Sequence, residues 1–547
     1  MGSRAEDYHD IAARAQQGVF DSIPRKWRLP AELKQHYDGH AASFIPTCGF
    51  LDERTLAITN LSATELLGQI HTGQLSAAAA TEAFCERASL AHQLCNCLTD
   101  FFPEEALEYA KSLDDEFART RLIVGPLHGL PMAVKDIMHV KGKKTTMGWV
   151  SWADNPLSTI ESSPAKVMRD AGAVFFGRTT MPQTGMALET ISNLWGRTLN
   201  AHNAAFGSGG SSGGDGVLCA LKGEPAAPIT TDIGGSIRAP AAFNGLYGMR
   251  PTAERVPRHN MIAVAPGNIS IKVSAGPNCH NMADLKTLTR VLLEHKSLPY
   301  EPTTVPGSWS DEPAVSRPLQ IGVIFTDGIV EPHPPVKRAL RETVSKLKAA
   351  GHQVFDFPVP FDLWQAALTT WALYFQTGAA EHKAILAEGN EPMIPQFEHN
   401  LRVFGTRELT VPELLRHNSQ QAAYKAAFQE AWDQQAEGMD CIICPCAPMA
   451  SVPHDFPVWW GYTTLFNVLD YPSVIMPVKD LKINPEDDPK DMSYQPKDNA
   501  FDKKNWEIYD PELWQTQPVT LQIVGRPCRD EALIAVSEAI DLVVNGL

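Results

Sequence analysis

The chain has 547 residues, enough to bury a large core, and its 44% hydrophobic and 20% charged residues are ordinary for a soluble globular protein. Its formal charge of −16 argues against non-specific nucleic-acid binding, which needs a basic surface. No apolar run approaches the roughly 20 residues that span a bilayer, and residues 1–35 are too polar for a signal sequence, so a cytoplasmic location is expected.

Residues 1–60 read as an N-terminal helical arm, with helices around Tyr8–Phe20 and Pro30–His36; the main domain runs over 61–547. Helical spacing covers Ser62–Gly73 and Ser76–Ala91, each opened by a serine able to accept a hydrogen bond from a first-turn N–H. Pro103–Arg119 is a further helix. The stretch Gly125–Asp136, GPLHGLPMAVKD, contains an apolar run, Leu130–Val134, that ends at Lys135. A lysine at the end of a buried strand loses hydration, which disfavours its charged form and leaves an amine able to act as a base near neutral pH. The plainer alternative is a surface lysine beside Asp136. Helix Ser162–Ala171 carries Ser163-Pro164-Ala165-Lys166, an S-x-x-K match whose partner motifs are absent. Ser163 is therefore read as a helix start and Lys166 as a solvated residue. Ala173–Phe176 is a buried strand, followed by the loop Met181–Gly185.

Residues 207–240 hold two Ser/Gly clusters, Gly207–Gly214 and Gly234–Ser236, around a short apolar segment with helical character. So much glycine is costly in backbone entropy and points to close backbone approach, with N–H groups turned inward as an anion or oxyanion nest. A flexible linker does not explain Val217–Leu221, or the possible Asp232–Arg238 ion pair beside the second cluster. A P-loop needs a lysine and Ser/Thr after the glycines, and G-x-G-x-x-G fails at Ser212. Gly209-Gly210-Ser211-Ser212-Gly213 satisfies the esterase pattern G-x-S-x-G, but the preceding Thr198–Phe206 is not a buried strand. Serines in the nest are candidate nucleophiles, and a Ser–Lys pairing supplies the base.

Downstream, Met282–Leu293 is helical and Ser297–Arg317 reads as a long surface loop. Strand Leu319–Phe325, helix Pro335–Ala350 and strand Gln353–Phe357 alternate as in an α/β protein with mostly parallel strands. Residues 362–437 are largely helical and rich in aromatics (Trp364, Trp371, Tyr374, Phe375, Phe397, Phe404), most of them core and some facing substrate. Asp440–Cys446, Ser473–Val478 and Val519–Val524 are strands, Asp480–Pro511 an exposed loop and Asp530–Leu542 the last helix. The ten cysteines suit a reducing compartment. Cys441, Cys444 and Cys446 lack a second ligand pair at zinc spacing, so they are read as core and no metal is expected. His454 follows Ser211 in hydrolase order but is read as a pocket wall or satisfied core residue.

GGSSGGDG, then TDIGGSIRAPAAFNGLYGMRPT, with GLPMAVKD upstream, resembles the amidase signature family over most of the chain. PLHGLP, MGWVSW, MPQT, PAAFNGLYG, HPP and the final QIVGR are similar to the fungal acetamidase subgroup. The resemblance implies an α/β/α sandwich around a large mixed β-sheet, with a catalytic core at 120–280 and a helical substrate-side region at 362–437. It implies a Ser–cis-Ser–Lys triad of Ser236 (nucleophile), Ser211 (bridge, after a cis peptide) and Lys135 (base). It also implies an oxyanion hole from the N–H groups of Ile233, Gly234, Gly235 and Ser236, main-chain substrate contact at Gly185, and Asp232 and Arg238 in support. The family's usual glutamate after the first cluster is Asp215 here, and the serines are one residue further apart than usual.

The expected activity is hydrolysis of a carboxylic amide, a small aliphatic amide or a larger metabolite, with no cofactor. The alternatives are an esterase or acyl-transferring enzyme on the same triad, or a non-catalytic or amidotransferase-like subunit. Pocket size is expected to depend on Gly185, Trp149, Met186 and the 362–437 helices. The expected partner is a small-molecule amide, with no nucleic acid and no membrane span; a homodimer is compatible with the sequence.

Overall fold

Capping side chains open the main domain where their spacing predicts. Ser62 and Glu65 cap each other's backbone N–H groups at the start of helix Ala63–Thr72, which ends on Gly73 in the left-handed region. Ser76 opens helix Ala77–Cys95, longer than its predicted end at Ala91 and closed by left-handed Asn96. The computed structural model describes residues 7–294, 298, 301–305, 307, 309–435 and 438–546. Residues 1–6 of the predicted arm and 436–437 of the helical region lie outside these. Within the arm, helices Tyr8–Ser22 and Ala31–Lys34 match prediction, whereas Ala41–Thr47 and Glu53–Thr59 were not predicted. Pro46 sits inside the first of these and interrupts its pattern. Trp27, Phe44, Ile45 and Ile58 join the same hydrophobic core as the main domain.

Eight strands form the central mixed sheet, in the order Gln353–Asp356, Gln320–Val323, Cys441–Cys444, Thr520–Val524, Ser473–Pro477, Tyr247–Arg250, Ser274–Cys279, Ala227–Asp232. The expectation of mostly parallel strands does not hold. Gln320–Val323 is parallel to both its neighbours, and every other pair in the sheet is antiparallel. A parallel pair of consecutive strands needs a crossover connection. Helix Pro334–Ala349 supplies one between Gln320–Val323 and Gln353–Asp356. The strands nearest the Ser/Gly clusters have none: 251–273 links Tyr247–Arg250 to its antiparallel neighbour without an α-helix. A second sheet of three strands, Leu98–Phe101, Val174–Thr179 and Pro131–Lys135, carries Lys135 at its end and packs against Ala227–Asp232.

The helical region consists of Leu363–Tyr374, Ala380–Glu388, Pro395–Val403 and Val411–Gln434. It docks through stacked rings: Trp371 lies 4.6 Å from Phe404 with planes 5° apart, and edge-on to Trp460 at 5.2 Å. Cys441 and Cys444 are buried in a central strand, and Cys446 is buried just beyond it. Two predicted loops are more ordered than expected. Asp480–Pro511 contains helix Ala500–Ile508, where Asn499 accepts from the Asp502 N–H at 2.8 Å; its polar composition hid the buried Phe501. Of Ser297–Arg317, residues 297, 299, 300, 306 and 308 lie outside the described set. The rest has no helix or strand, but Glu301 and Trp309 are buried. Among the described residues no helix is long and apolar enough to cross a membrane.

Leu521 is fully buried in the interior strand Thr520–Val524. Leu521→Ala is expected to cost about 2–5 kcal/mol through lost burial and a residual cavity, read as a lower midpoint in urea denaturation.

Candidate active site

Lys135 ends its strand fully buried, with no ionic partner in contact among the described residues. Its Nζ lies 2.8 Å from Ser211 Oγ, 2.7 Å from Ser212 Oγ and 2.8 Å from Thr231 Oγ1. Three hydroxyls around one amine suit the neutral form, which has two N–H donors and one lone pair to accept an O–H. Burial drives the pKa of Lys135 down to about 7, against the opposing pull of Asp215 and Asp232. Burial also raises that of Asp215, whose Oδ2 is enclosed without a partner. Both members of this pair are thus pushed toward their uncharged forms, as a low-dielectric site demands.

The Ser/Gly clusters approach each other closely. The Gly210–Ser211 peptide is cis. Helix Gly213–Ala220 starts directly after Ser212, and a Cβ on Gly214 would lie 2.5 Å from the Thr180 backbone nitrogen. The Ser212 N–H donates to the Ser236 carbonyl at 3.2 Å, which ties the first cluster to the second. Gly235 has φ +134°, and a Cβ there would meet Thr463 Oγ1 at 2.6 Å, so this turn needs glycine on both counts. Tyr374 Oη donates to the Ile233 carbonyl at 2.6 Å, and Thr463 Oγ1 to the Gly234 carbonyl at 2.7 Å. With those carbonyls held outward, the N–H groups of Ile233, Gly234 and Ser236 have no acceptor among the described residues. The fourth expected donor is engaged otherwise: the Gly235 N–H donates to Asp232 Oδ1 at 2.9 Å.

Asp232 organises that turn. Its carboxylate accepts from Gly235 and Ile237 N–H, from Asn467 Nδ2, and twice from Arg238, at 2.9 and 3.0 Å. Both side chains of the ion pair are fully buried. Burial alone would raise the carboxyl pKa, but the Arg238 guanidinium holds it well below the usual range. Arg238 also donates to the Thr463 carbonyl and to Gln522 and Asn467.

Ser211, Thr231, Ile233, Ser236 and Gly185 line one cavity of about 170 Å³. Its far wall comes from segment 258–273 and from Tyr374, Phe375 and His382 of the helical region. Among the described residues no group hydrogen-bonds to Ser236 Oγ, although the residue is only 2% exposed. Of the six aromatics singled out in 362–437, only Tyr374 and Phe375 reach this cavity. Trp149, expected to shape it, does not line it but packs with Leu386 behind the wall residues Met147 and Met181. A larger groove of about 1010 Å³ runs between helices Met282–Glu294 and Asp530–Asn545 but contains none of the candidate residues.

The competing motifs are spent on structure. Ser163 Oγ donates to Glu301 at 2.6 Å, and exposed Lys166 pairs with Asp170 at 2.7 Å. His454 is held between Glu189 Oε1 and the Ala204 carbonyl, both at 2.8 Å. Among the described residues no group of three or more His, Cys, Asp or Glu could hold a metal. Reading the sequence missed Ser212, Thr231 and Thr463, and named Tyr374 only among six aromatics of which some were expected to face substrate; the adjacency of Ser212 to Ser211 and of Thr231 to Asp232 was the available signal. Asp232→Asn is expected to destabilise the protein by about 3–5 kcal/mol, because it strands a buried arginine. Chemical denaturation would measure the loss.

Comparison with known proteins shows the family. The Amidase family model matches residues 79–534. The chain is 48% identical to Amidase FG08078 of Gibberella zeae over 98% of its length and 99% of that protein. It is 35% identical to the acetamidase of Emericella nidulans over 99% of each chain. The solved structure of a fatty acid amide hydrolase superimposes with a TM-score of 0.92 at 31% identity, covering 98% of this chain and 94% of that one. The chain belongs to the amidase family of amidase-signature hydrolases.

Proposed function

We propose that this amidase hydrolyses its substrate through Ser236 as nucleophile, Ser211 as bridging acid–base and Lys135 as base, by way of an acyl-enzyme. The observation that carries the reading is the contact of a wholly buried, charge-depleted Lys135 amine with Ser211 Oγ at 2.8 Å, in the wall of a cavity that also contains Ser236. In this reading neutral Lys135 takes the Ser211 proton as Ser211 takes that of Ser236. The Ser236 oxygen then attacks the amide carbon. Negative charge on the carbonyl oxygen is met by the unengaged N–H groups of Ile233, Gly234 and Ser236. One such donor typically contributes about a hundredfold to a thousandfold in rate.

Ser211 then returns a proton to the departing nitrogen, and ammonia or an amine leaves. Water resolves the ester by the same relay in reverse. Among the described residues Ser236 Oγ has no competing partner, so in this reading it joins Ser211 when substrate fills the cavity, the closing-up common to catalytic hydrogen bonds. Asp232 and Arg238 act from behind by holding the Ile233–Ile237 turn, and Gly185 supplies cavity wall. A small to medium aliphatic amide suits the cavity, in keeping with relatives named acetamidases. The ten cysteines are all free, which favours a reducing compartment such as the cytosol.

Ser236→Ala is expected to lower kcat by roughly a millionfold, the scale of loss for a serine nucleophile, with the fold intact by circular dichroism. Wild-type turnover by the folded variant would refute the assignment. Activity should also rise with pH through about 7, because only deprotonated Lys135 accepts a proton. That limb of the kcat/KM profile should disappear in the residual activity of Lys135→Ala.

A further inference from the structure

We propose that the substrate carries a carboxylate in addition to its scissile amide, and that Arg258 binds it. The inference rests on the amidase reading above and narrows its substrate class. Arg258 lines the same cavity as Ser211 and Ser236. It is half-buried, and its Nε is enclosed without any hydrogen-bond partner. Only its backbone is anchored, by the N–H donating to Thr303 Oγ1 at 3.0 Å. Among the described residues no carboxylate pairs with its guanidinium.

Other buried arginines of this chain are satisfied, Arg87 by neutral acceptors (the Leu221 carbonyl and Thr59 Oγ1) and the rest by carboxylates. Arg178 pairs with Asp136 at 2.9 Å, Arg238 with Asp232 at 2.9 Å and Arg250 with Asp470 at 2.7 Å. Arg255, three residues before Arg258, holds both Asp530 and Glu531. The cavity wall includes no Asp or Glu; its other cation, Lys272, is already paired with Glu254. His382 adds no charge at neutral pH, since burial lowers its pKa to about 4. The lining is therefore net cationic, and among the described residues its one unpaired charge is Arg258.

A partly desolvated guanidinium without a counter-ion is an unfavourable arrangement. A carboxylate relieves it, because its two oxygens match the planar donor fork. The rest of the cavity wall is largely apolar, including Met186, Ile262, Val264 and Ile271. An aliphatic spacer between amide and acid fits that wall.

The test compares kcat/KM of the full chain on three series of matched length: neutral aliphatic amides, monoamides of dicarboxylic acids, and N-acyl amino acids. One acidic series should exceed the neutral one by about tenfold to a hundredfold, mostly through KM, as expected for a hydrogen bond to a charged group. Which series wins tells whether the acid sits on the acyl or the amine side. Arg258→Met should abolish the preference and Arg258→Lys should restore part of it. As a second readout, an aliphatic dicarboxylate should inhibit the wild type competitively, while the corresponding diamide should be at least tenfold weaker. Brisk hydrolysis of neutral amides with no acid preference and no dicarboxylate inhibition overturns the carboxylate and leaves the amidase reading standing. Failure to hydrolyse any amide overturns both.

Discussion

Removing water from one amine is the constraint on which the rest of this molecule turns. Lys135 sits fully buried at the end of a strand, and among the described residues its amine meets hydroxyls and no carboxylate. An ammonium ion in such a place is unstable relative to the neutral amine, and the neutral amine is the form that can accept a proton. The same dryness gives any inward-facing N–H group more electrostatic weight than it has in water. Desolvation therefore sets both halves of the proposed chemistry, the base and the oxyanion donors.

Keeping water out requires the surrounding architecture. The three-stranded sheet delivers Lys135, the edge strand Ala227–Asp232 delivers Thr231 and the turn that follows, and helix Gly213–Ala220 begins at the first cluster. The aromatic helices close the opposite side, where Tyr374 both walls the cavity and pins the Ile233 carbonyl. Asp232 and Arg238 are locked together beneath the turn, so one buried ion pair orients the backbone amides while remaining outside the reacting group. That division explains why the site can hold a fully ionised carboxylate close to a lysine whose charge is suppressed. Asp232 has a guanidinium partner, and Lys135 has none.

Much of this was legible in the residues. Serine caps at Ser62 and Ser76, the apolar run into Lys135 and the glycine clusters each have a local physical meaning that does not wait for tertiary contacts. Strand direction was not legible, because a hydrophobic run looks the same whichever neighbour it joins; in the central sheet only the pairs made by Gln320–Val323 followed the parallel expectation. The helix Ala500–Ile508 was hidden by polar composition, and Trp149 was placed in the cavity because burial against Met147 and Met181 cannot be read from its neighbours in the chain.

By itself, then, the sequence determined which residues stand out as candidates for the chemistry: a lysine after an apolar run, serines among glycines, an aspartate and arginine six apart. These are local signals, set by desolvation and by backbone freedom within a few positions. Only the tertiary structure decided that Ser212 and Thr231 share the lysine amine, that Gly235 donates to Asp232, and that Arg258 enters the cavity without a partner. Those facts depend on which groups remain unpaired after folding, and pairing is a property of residues brought together from distant parts of the chain.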